Sequence, residues 1–155
     1  MASRLPSGTL PVLVLSLLLA LPATARAVGS GPAPTPVAPR SAEADYNAGL
    51  QAKAAKRFPA AVASFQRAVE ARPNFPEAWN ELGFALRQTG KYDEALRAYD
   101  QALKLRPNFP EAMEYLGEAY VKLGRLDDAR AILERLKPLD PARAQELDEA
   151  IRTGR

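Results

Sequence analysis

The sequence Arg-Pro-Asn-Phe-Pro-Glu-Ala occupies residues 72–78 and recurs without a change at residues 106–112. The two copies lie 34 residues apart, and a fixed period of this length is typical of repeat proteins. A unit of this size has room for two short helices and two turns, which cannot bury a hydrophobic face alone. We therefore expect the units to stack as a solenoid that offers a binding surface instead of an enclosed catalytic pocket.

One register of large and small residues extends over three units, at residues 42–75, 76–109 and 110–143. In units two and three the recurring residues are Trp79, Leu82, Gly83, Leu86, Gly90, Tyr92, Ala95, Tyr99, Ala102 and Pro107, then Met113, Leu116, Gly117, Tyr120, Gly124, Leu126, Ala129, Leu133, Leu136 and Pro141. Unit one keeps Gly49, Phe58, Ala61, Phe65, Ala68 and Pro73. This pattern resembles the tetratricopeptide repeat (TPR) family. The resemblance implies an all-α solenoid of three helix-turn-helix repeats, followed by a C-terminal capping helix at residues 144–155.

Local signals place the helix ends without reference to any family. Pro76 and Pro110 stand where a helix can begin, because the first turn needs no amide hydrogen from them. Gly90 and Gly124 fit helix C-termini that require a left-handed residue. A last helix can start at Asp140-Pro141, so the sequence predicts seven helices.

Unit one departs from the pattern of the other two. Lys56 replaces the turn glycine, and the small or polar residues Asp45, Ala48 and Ala52 replace large apolar ones. We therefore expect its first helix to pack weakly, and we expect Asp45 to face solvent at the N-terminal end of the solenoid.

The N-terminal region has the composition of an export signal followed by a linker. Residues 1–27 contain a short apolar run and small residues that fit cleavage after Ala25 or Ala27. We expect a secreted or periplasmic protein, and the alternative is an uncleaved membrane anchor. Residues 28–41 are rich in proline and predict a flexible linker, which is either a tether to a membrane or wall or simply a remnant after cleavage.

The composition excludes several classes of function. The chain has no cysteine and no histidine, so disulfides, metal sites with Cys or His ligands and Cys or His nucleophiles are absent. We expect no metal site, no cofactor and no enzymatic activity. Without Arg4 and Arg26 of the leader, 19 basic side chains stand against 18 acidic ones, and this near-neutral balance argues against nucleic acid as a partner.

The resemblance implies that the first helices line a concave face on which a protein or peptide binds. The positions that we assign to the partner are Tyr46, Leu50, Lys53, Asn80, Phe84, Arg87, Gln88, Glu114, Glu118 and Lys122. The other outward positions of that face are Glu43, Glu77, Glu111 and Val121. Large apolar groups at solvent-facing positions, above all Phe84, indicate a surface for a partner. The alternative is that Phe84 packs on a neighbouring helix or under the linker.

The charges of this face predict the kind of peptide. Some TPR proteins clamp a C-terminal carboxylate with Lys and Asn at the fifth and ninth positions of the first unit, where this chain has Tyr46 and Leu50. We therefore expect no such clamp. Glu111, Glu114 and Glu118 predict an acidic ridge for a basic stretch of the partner, with apolar groups near Phe84. The alternative for the ridge is ordinary solvated helix charge.

Three classes of function remain after these exclusions. A scaffold that recruits another protein follows from the repeats, and a homo-oligomerisation module within a larger envelope assembly is the alternative. An enzyme could use Glu114 and Glu118 as a carboxylate pair, but an open groove would desolvate them too little to separate their pKa values. We therefore do not expect catalysis.

Overall fold

The computed structural model describes residues 41–154, and their regular structure is entirely α-helical. The helices in chain order are α1 (Ala42–Ala54), α2 (Phe58–Ala71), α3 (Pro76–Gln88), α4 (Tyr92–Leu105), α5 (Pro110–Lys122), α6 (Leu126–Leu136) and α7 (Pro141–Thr153). Helices α1 to α6 form three antiparallel hairpins, and α7 packs on α5 and α6. The predicted seven helices and all-α repeat fold are confirmed. The predicted leader and the linker up to residue 40 lie outside the described residues.

The helix ends follow the local signals in the sequence. Proline occupies the first position of α3, α5 and α7, and Gly90 and Gly124 have φ angles of 80° and 71°. Lys56 takes the same left-handed conformation, with φ at 55°, at the turn where the other units have glycine. Helix α7 begins at Pro141, three residues before the lower bound of the predicted capping segment. None of the described helices is both long and apolar enough to cross a membrane.

In units one and two, the two helices meet through a glycine on the first and a ring on the second, whereas Gly117 of unit three faces Leu147 of α7. A Cβ atom on Gly49 would lie 2.4 Å from the Phe65 ring, and one on Gly83 would lie 2.6 Å from the Tyr99 ring. Phe65 and Tyr99 are fully buried. We call this contact the hairpin seam. The side chain that faces Gly83 is therefore that of Tyr99.

The first helix is not weakly packed, and Asp45 does not face solvent, so both expectations for unit one are wrong. Asp45 is 3% exposed and accepts a hydrogen bond of 2.8 Å from Nε of Arg67 on α2. A second nitrogen of Arg67 donates to the Ser64 hydroxyl at 3.2 Å. The small residues of α1 allow α2 to approach closely, and Arg67 neutralises the carboxylate that this approach buries.

Candidate partner-binding face

The first helices of the three units are joined by two ion pairs. The Lys53 ammonium on α1 donates to both carboxylate oxygens of Glu81 on α3, at 2.6 and 2.8 Å. The Arg87 guanidinium on α3 pairs with Glu118 on α5. The side chains of these helices thus share one surface. We call it the first-helix face and define it by Tyr46, Leu50, Lys53, Phe84, Arg87, Glu111, Tyr115 and Glu118.

The Phe84 ring lies at the centre of an aromatic cluster on this face. Its centroid is 6.3 Å from that of Phe58 and 5.4 Å from that of Tyr115. The Lys53 ammonium lies 5.0 Å and the Arg87 guanidinium 5.5 Å from the same centroid, which are cation–π distances. Phe84 is half-buried. Its ring therefore packs on neighbouring elements, as the alternative reading of the sequence holds, and still offers part of its surface to solvent.

Tyr46 and Leu50 are also half-buried and not fully open to solvent. The Tyr46 ring packs 4.8 Å from Phe75 and 5.8 Å from Phe65, and Leu50 packs against the hydrophobic core. Tyr46 and Leu50 therefore contribute to the packing of unit one as well as to the first-helix face. Of the remaining predicted positions, Gln88 and Lys122 are exposed, whereas Val121 is buried.

Two predicted contact residues are buried, so the expectation that they face solvent is wrong. Asn80 is 1% exposed, and its Oδ1 atom has no hydrogen-bond partner among the described residues. Glu114 is 4% exposed and pairs with Arg143 of the last helix. Burial raises the pKa of Glu114 despite the Arg143 guanidinium beside it. Since Glu118 also has an internal partner, the predicted acidic ridge of three free carboxylates does not exist.

Tyr115 belongs to the face, and the buried Glu81 holds Lys53 of the face in place, although the sequence analysis assigned neither residue to it. Glu81 is 7% exposed, and burial raises its pKa more than the nearby Lys53 ammonium lowers it. Both residues occupy the sixth position of their units, three residues before the ninth positions held by Phe84 and Glu118. Helical spacing places such residues one turn apart on the same side. Helical spacing alone could therefore have placed Glu81 and Tyr115 on the same side of their helices as Phe84 and Glu118.

An ion pair between the second and thirty-first positions is repeated in units one and two. Glu43 pairs with Arg72, and Glu77 pairs with Arg106. Each arginine also lies over an aromatic ring three residues later, at 3.6 Å from Phe75 and 4.5 Å from Phe109. In units one and two, therefore, a glutamate, an arginine and a phenylalanine meet at the end of the hairpin.

Unit three lacks this contact. Its second position is Glu111, which is half-buried, and its thirty-first position is Asp140 in place of arginine. Within residues 41–154 no ion pair reaches Glu111, whereas Asp140 caps α7 by accepting from the backbone amides of Ala142 and Arg143 at 3.2 and 3.1 Å. Helix α6 ends at Leu136, three residues earlier in its unit than α2 and α4, so Glu111 lacks the arginine contact of units one and two. Its carboxylate acts instead on Arg143 of α7, whose pKa it helps to raise.

The pKa values of Tyr46 and Tyr115, the two tyrosines on the face, are both raised. Burial first, and then the carboxylates of Glu111 and Glu114, raise the pKa of Tyr115 to about 12. Burial also raises the pKa of Tyr46, with Glu81, Glu77 and Glu111 acting in the same direction. Burial is the larger cause of both shifts, and Glu81 and Glu114 are themselves paired with Lys53 and Arg143.

A second concave feature lies elsewhere, between α2 and α4. This open groove of about 450 Å³ has a floor of Trp79, Leu82 and Leu86. Its rim carries Gln66, Glu94, Arg97, Asp100, Gln101 and Lys104. The rim mixes both signs of charge and shows no preference for a ligand, so we do not assign a function to this groove.

Comparison with known proteins identifies the repeat. Two family profiles, both described as tetratricopeptide repeat, match residues 52–99 and 80–144. Among solved structures, the TPR domain of Arabidopsis OM64 superposes with a TM-score of 0.69 at 18% identity, covering 73% of this chain and 95% of that one. No curated protein sequence is significantly similar.

Two further similar structures contain bound peptides. The first TPR of Spaghetti (RPAP3), bound to the HSP90 peptide SRMEEVD, has a TM-score of 0.69 at 20% identity and covers 74% of this chain and 93% of that one. The Yersinia enterocolitica type III secretion chaperone SycD, in complex with a peptide of the translocator YopD, has a TM-score of 0.66 at 19% identity, covering 72% and 92%. The two family profiles together match residues 52–144, which is more than half of the chain. The chain therefore belongs to the tetratricopeptide repeat family and is a non-catalytic helical scaffold.

Proposed function

We propose that this protein is an exported scaffold that binds a protein or peptide partner on its first-helix face. The observation that carries the proposal is the half-buried Phe84 ring, which lies between Phe58 and Tyr115 with two cations beside it. An aromatic ring fixed by its neighbours and still partly open to solvent is the type of group that dominates binding at protein interfaces. The RPAP3 and SycD structures, which hold peptides, support the peptide class of partner.

The face is also suited to discriminate between partners. Phe84 supplies apolar area, and the charges around it are held by ion pairs, so an incoming peptide meets a surface that is already ordered. Preorganised side chains lose little conformational entropy on binding. The basic carboxylate clamp of some TPR proteins is not expected here, because Tyr46 and Leu50 occupy the relevant positions of unit one.

The binding part of the proposal is tested by replacing Phe84. Affinity capture with the mature protein should recover a partner, and Phe84→Ala should reduce recovery at least about tenfold, as loss of a central aromatic contact does. Tyr92→Ala is the matched control, because Tyr92 is a half-buried aromatic residue at the start of α4, outside the face. Circular dichroism must show that both variants remain folded. Equal recovery by Phe84→Ala and the parent protein would refute the assigned face.

Export rests on the composition of residues 1–27 and is tested separately. Mass spectrometry of the mature protein should find an N-terminus at Arg26 or Val28, according to which alanine is cleaved. A mature chain that still begins at Met1 would contradict cleavage and would favour the uncleaved anchor.

Self-association is the second candidate function. Sedimentation equilibrium of the mature protein distinguishes it from the scaffold proposal, because a self-association module should dimerise in the absence of any other chain. A monomer over the whole accessible concentration range would exclude this second candidate.

A further inference from the structure

We propose that Arg87 is a positioning residue, which serves the peptide partner by fixing the ring of Phe84 and does not itself contact the peptide. The inference rests on the proposed function, namely that the first-helix face binds a peptide through Phe84. It changes the role of Arg87, which the sequence analysis assigned to direct contact with the partner.

The first reason is the burial of Arg87. Its side chain is 13% exposed, against 28% for Lys53, the other cation beside Phe84. The guanidinium is paired with Glu118 of α5. Burial raises the pKa of Tyr99 in the hairpin seam, and the nearby positive charge of Arg87 opposes that rise. A cation that is enclosed in this way has little surface left for a peptide.

The second reason is a closed triangle of contacts between Arg87 and two aromatic rings. The guanidinium carbon lies 5.5 Å from the centroid of the Phe84 ring and 5.3 Å from that of the Tyr115 ring. The two ring centroids are 5.4 Å apart, with an angle of 50° between the ring planes. Each member of the triangle contacts the other two, so a change in the rotamer of Phe84 breaks its contacts with both.

The third reason is that this kind of contact recurs between successive units. Lys53 and Arg87 both occupy the twelfth position of their units. Each cation reaches one carboxylate and one aromatic ring of the following unit, namely Glu81 and Phe84 for Lys53, and Glu118 and Tyr115 for Arg87. Within residues 41–154, however, Lys53 lies over one ring and Arg87 over two. Arg87 therefore has the larger part in holding the aromatic cluster together.

Arg87→Lys tests the inference with peptides selected from a random display library against the full mature protein. Lysine keeps the positive charge, but an ammonium group cannot stack on two rings and pair with Glu118 as a planar guanidinium does. The affinity for the selected peptides should fall about fivefold, because an aromatic side chain that is no longer held must be fixed on binding. Arg97→Lys, at an exposed position on α4 outside the face, is the matched control and should keep the affinity within about twofold.

A double-mutant cycle shows whether Arg87 acts through Phe84. In the Phe84→Ala background no ring is left to position, so Arg87→Lys should change the affinity less than about twofold. An equal loss in both backgrounds would mean that Arg87 contacts the peptide directly, and it would overturn the inference.

NMR relaxation of the free protein supplies a readout that needs no peptide. Arg87→Lys should lower the order parameter of the Phe84 ring, whereas Arg97→Lys should leave it unchanged. A Phe84 ring that is equally ordered in Arg87→Lys and in the parent protein would contradict the positioning role. Circular dichroism should show helical spectra for all variants.

The outcomes separate this inference from the proposed function. If Arg87→Lys leaves the affinity unchanged while Phe84→Ala weakens it, the positioning role is refuted and peptide binding on the face stands. If Phe84→Ala has no effect on any selected peptide, or if no peptide is selected, the proposed function fails and the positioning role fails with it.

Discussion

The hairpin seam and the first-helix face follow opposite rules within the same repeats. At the seam, units one and two use one solution, a glycine against a buried ring, with Gly49 on Phe65 and Gly83 on Tyr99. On the face, the ion pairs differ from unit to unit in partner and direction, as Lys53 with Glu81 and Arg87 with Glu118 show. Helix packing fixes the seam, because the volume between two helices must be filled. The face is free to vary, and specificity can therefore reside there.

The largest effect is expected at the seam. A side chain at Gly83 would place its Cβ 2.6 Å from the Tyr99 ring, so Gly83→Val should lower the free energy of unfolding by about 3 kcal/mol through overpacking. Urea denaturation followed by circular dichroism measures this loss. Gln88→Val, an exposed position on the same helix, is the control and should cost less than about 1 kcal/mol. A loss below about 1 kcal/mol for Gly83→Val would show that the seam tolerates a separation of its helices.

Truncation on the face should cost less stability than this seam change. Phe84 is half-buried, so Phe84→Ala should lower the free energy of unfolding by about 2 kcal/mol, below the cost of truncating a fully buried phenylalanine. The same denaturation experiment checks this value. A loss equal to or larger than that of Gly83→Val would mean that Phe84 belongs to the core instead of the face.

A turn variant in unit one should increase stability. Lys56 has a φ angle of 55° where the equivalent Gly90 has 80°, and a side chain in this left-handed region is strained. Relief of this strain in Lys56→Gly should raise the free energy of unfolding by about 1 kcal/mol. The greater conformational entropy of glycine in the unfolded chain offsets part of this gain. Thermal melting detects the gain, and Lys91→Gly, next to a turn that already has its glycine, should give none. A lower melting temperature for Lys56→Gly would disprove the strain.

The smallest effect is expected in the pH dependence of stability, at Glu81. The pKa of Glu81 in the folded protein lies above the ordinary value of 4.5, mainly because the side chain is buried. Above pH 4.5, Glu81 therefore binds more protons in the folded state than in the unfolded state. The stability that this group contributes is complete below that value and declines as the pH rises through the folded pKa. Glu81→Gln removes this decline, and its stability relative to the parent should therefore increase from pH 4 to neutrality.

Urea midpoints measured at several pH values test this slope. Glu70→Gln on α2, at an exposed position, is the control for the substitution itself. A Glu81→Gln difference that falls with rising pH would reverse the sign and contradict a raised pKa.

The sequence predicts the helices well, because their ends depend on nearby residues. Proline at Pro76 and Pro110 and glycine at Gly90 and Gly124 act within one turn, and the 34-residue register supplies the order of the units. The predicted repeat fold is confirmed for this reason.

The burial of face residues could not be predicted in the same way. Asp45 is buried by Arg67, 22 residues later, and Glu114 by Arg143, 29 residues later. Helical spacing shows which residues share one side of a helix. It does not show which side chain from a distant part of the sequence covers a carboxylate on that side. The assignment of these residues to a partner stays a prediction for the exposed and half-buried members of the face.

Hydrogen–deuterium exchange of the mature protein, with and without a peptide selected by display, tests the central claim most directly. Binding on the first-helix face predicts that amides in α1, α3 and α5 gain protection, while those in α2, α4 and α6 change little. Protection gained mainly in α2 and α4, where the second groove lies, would contradict the account.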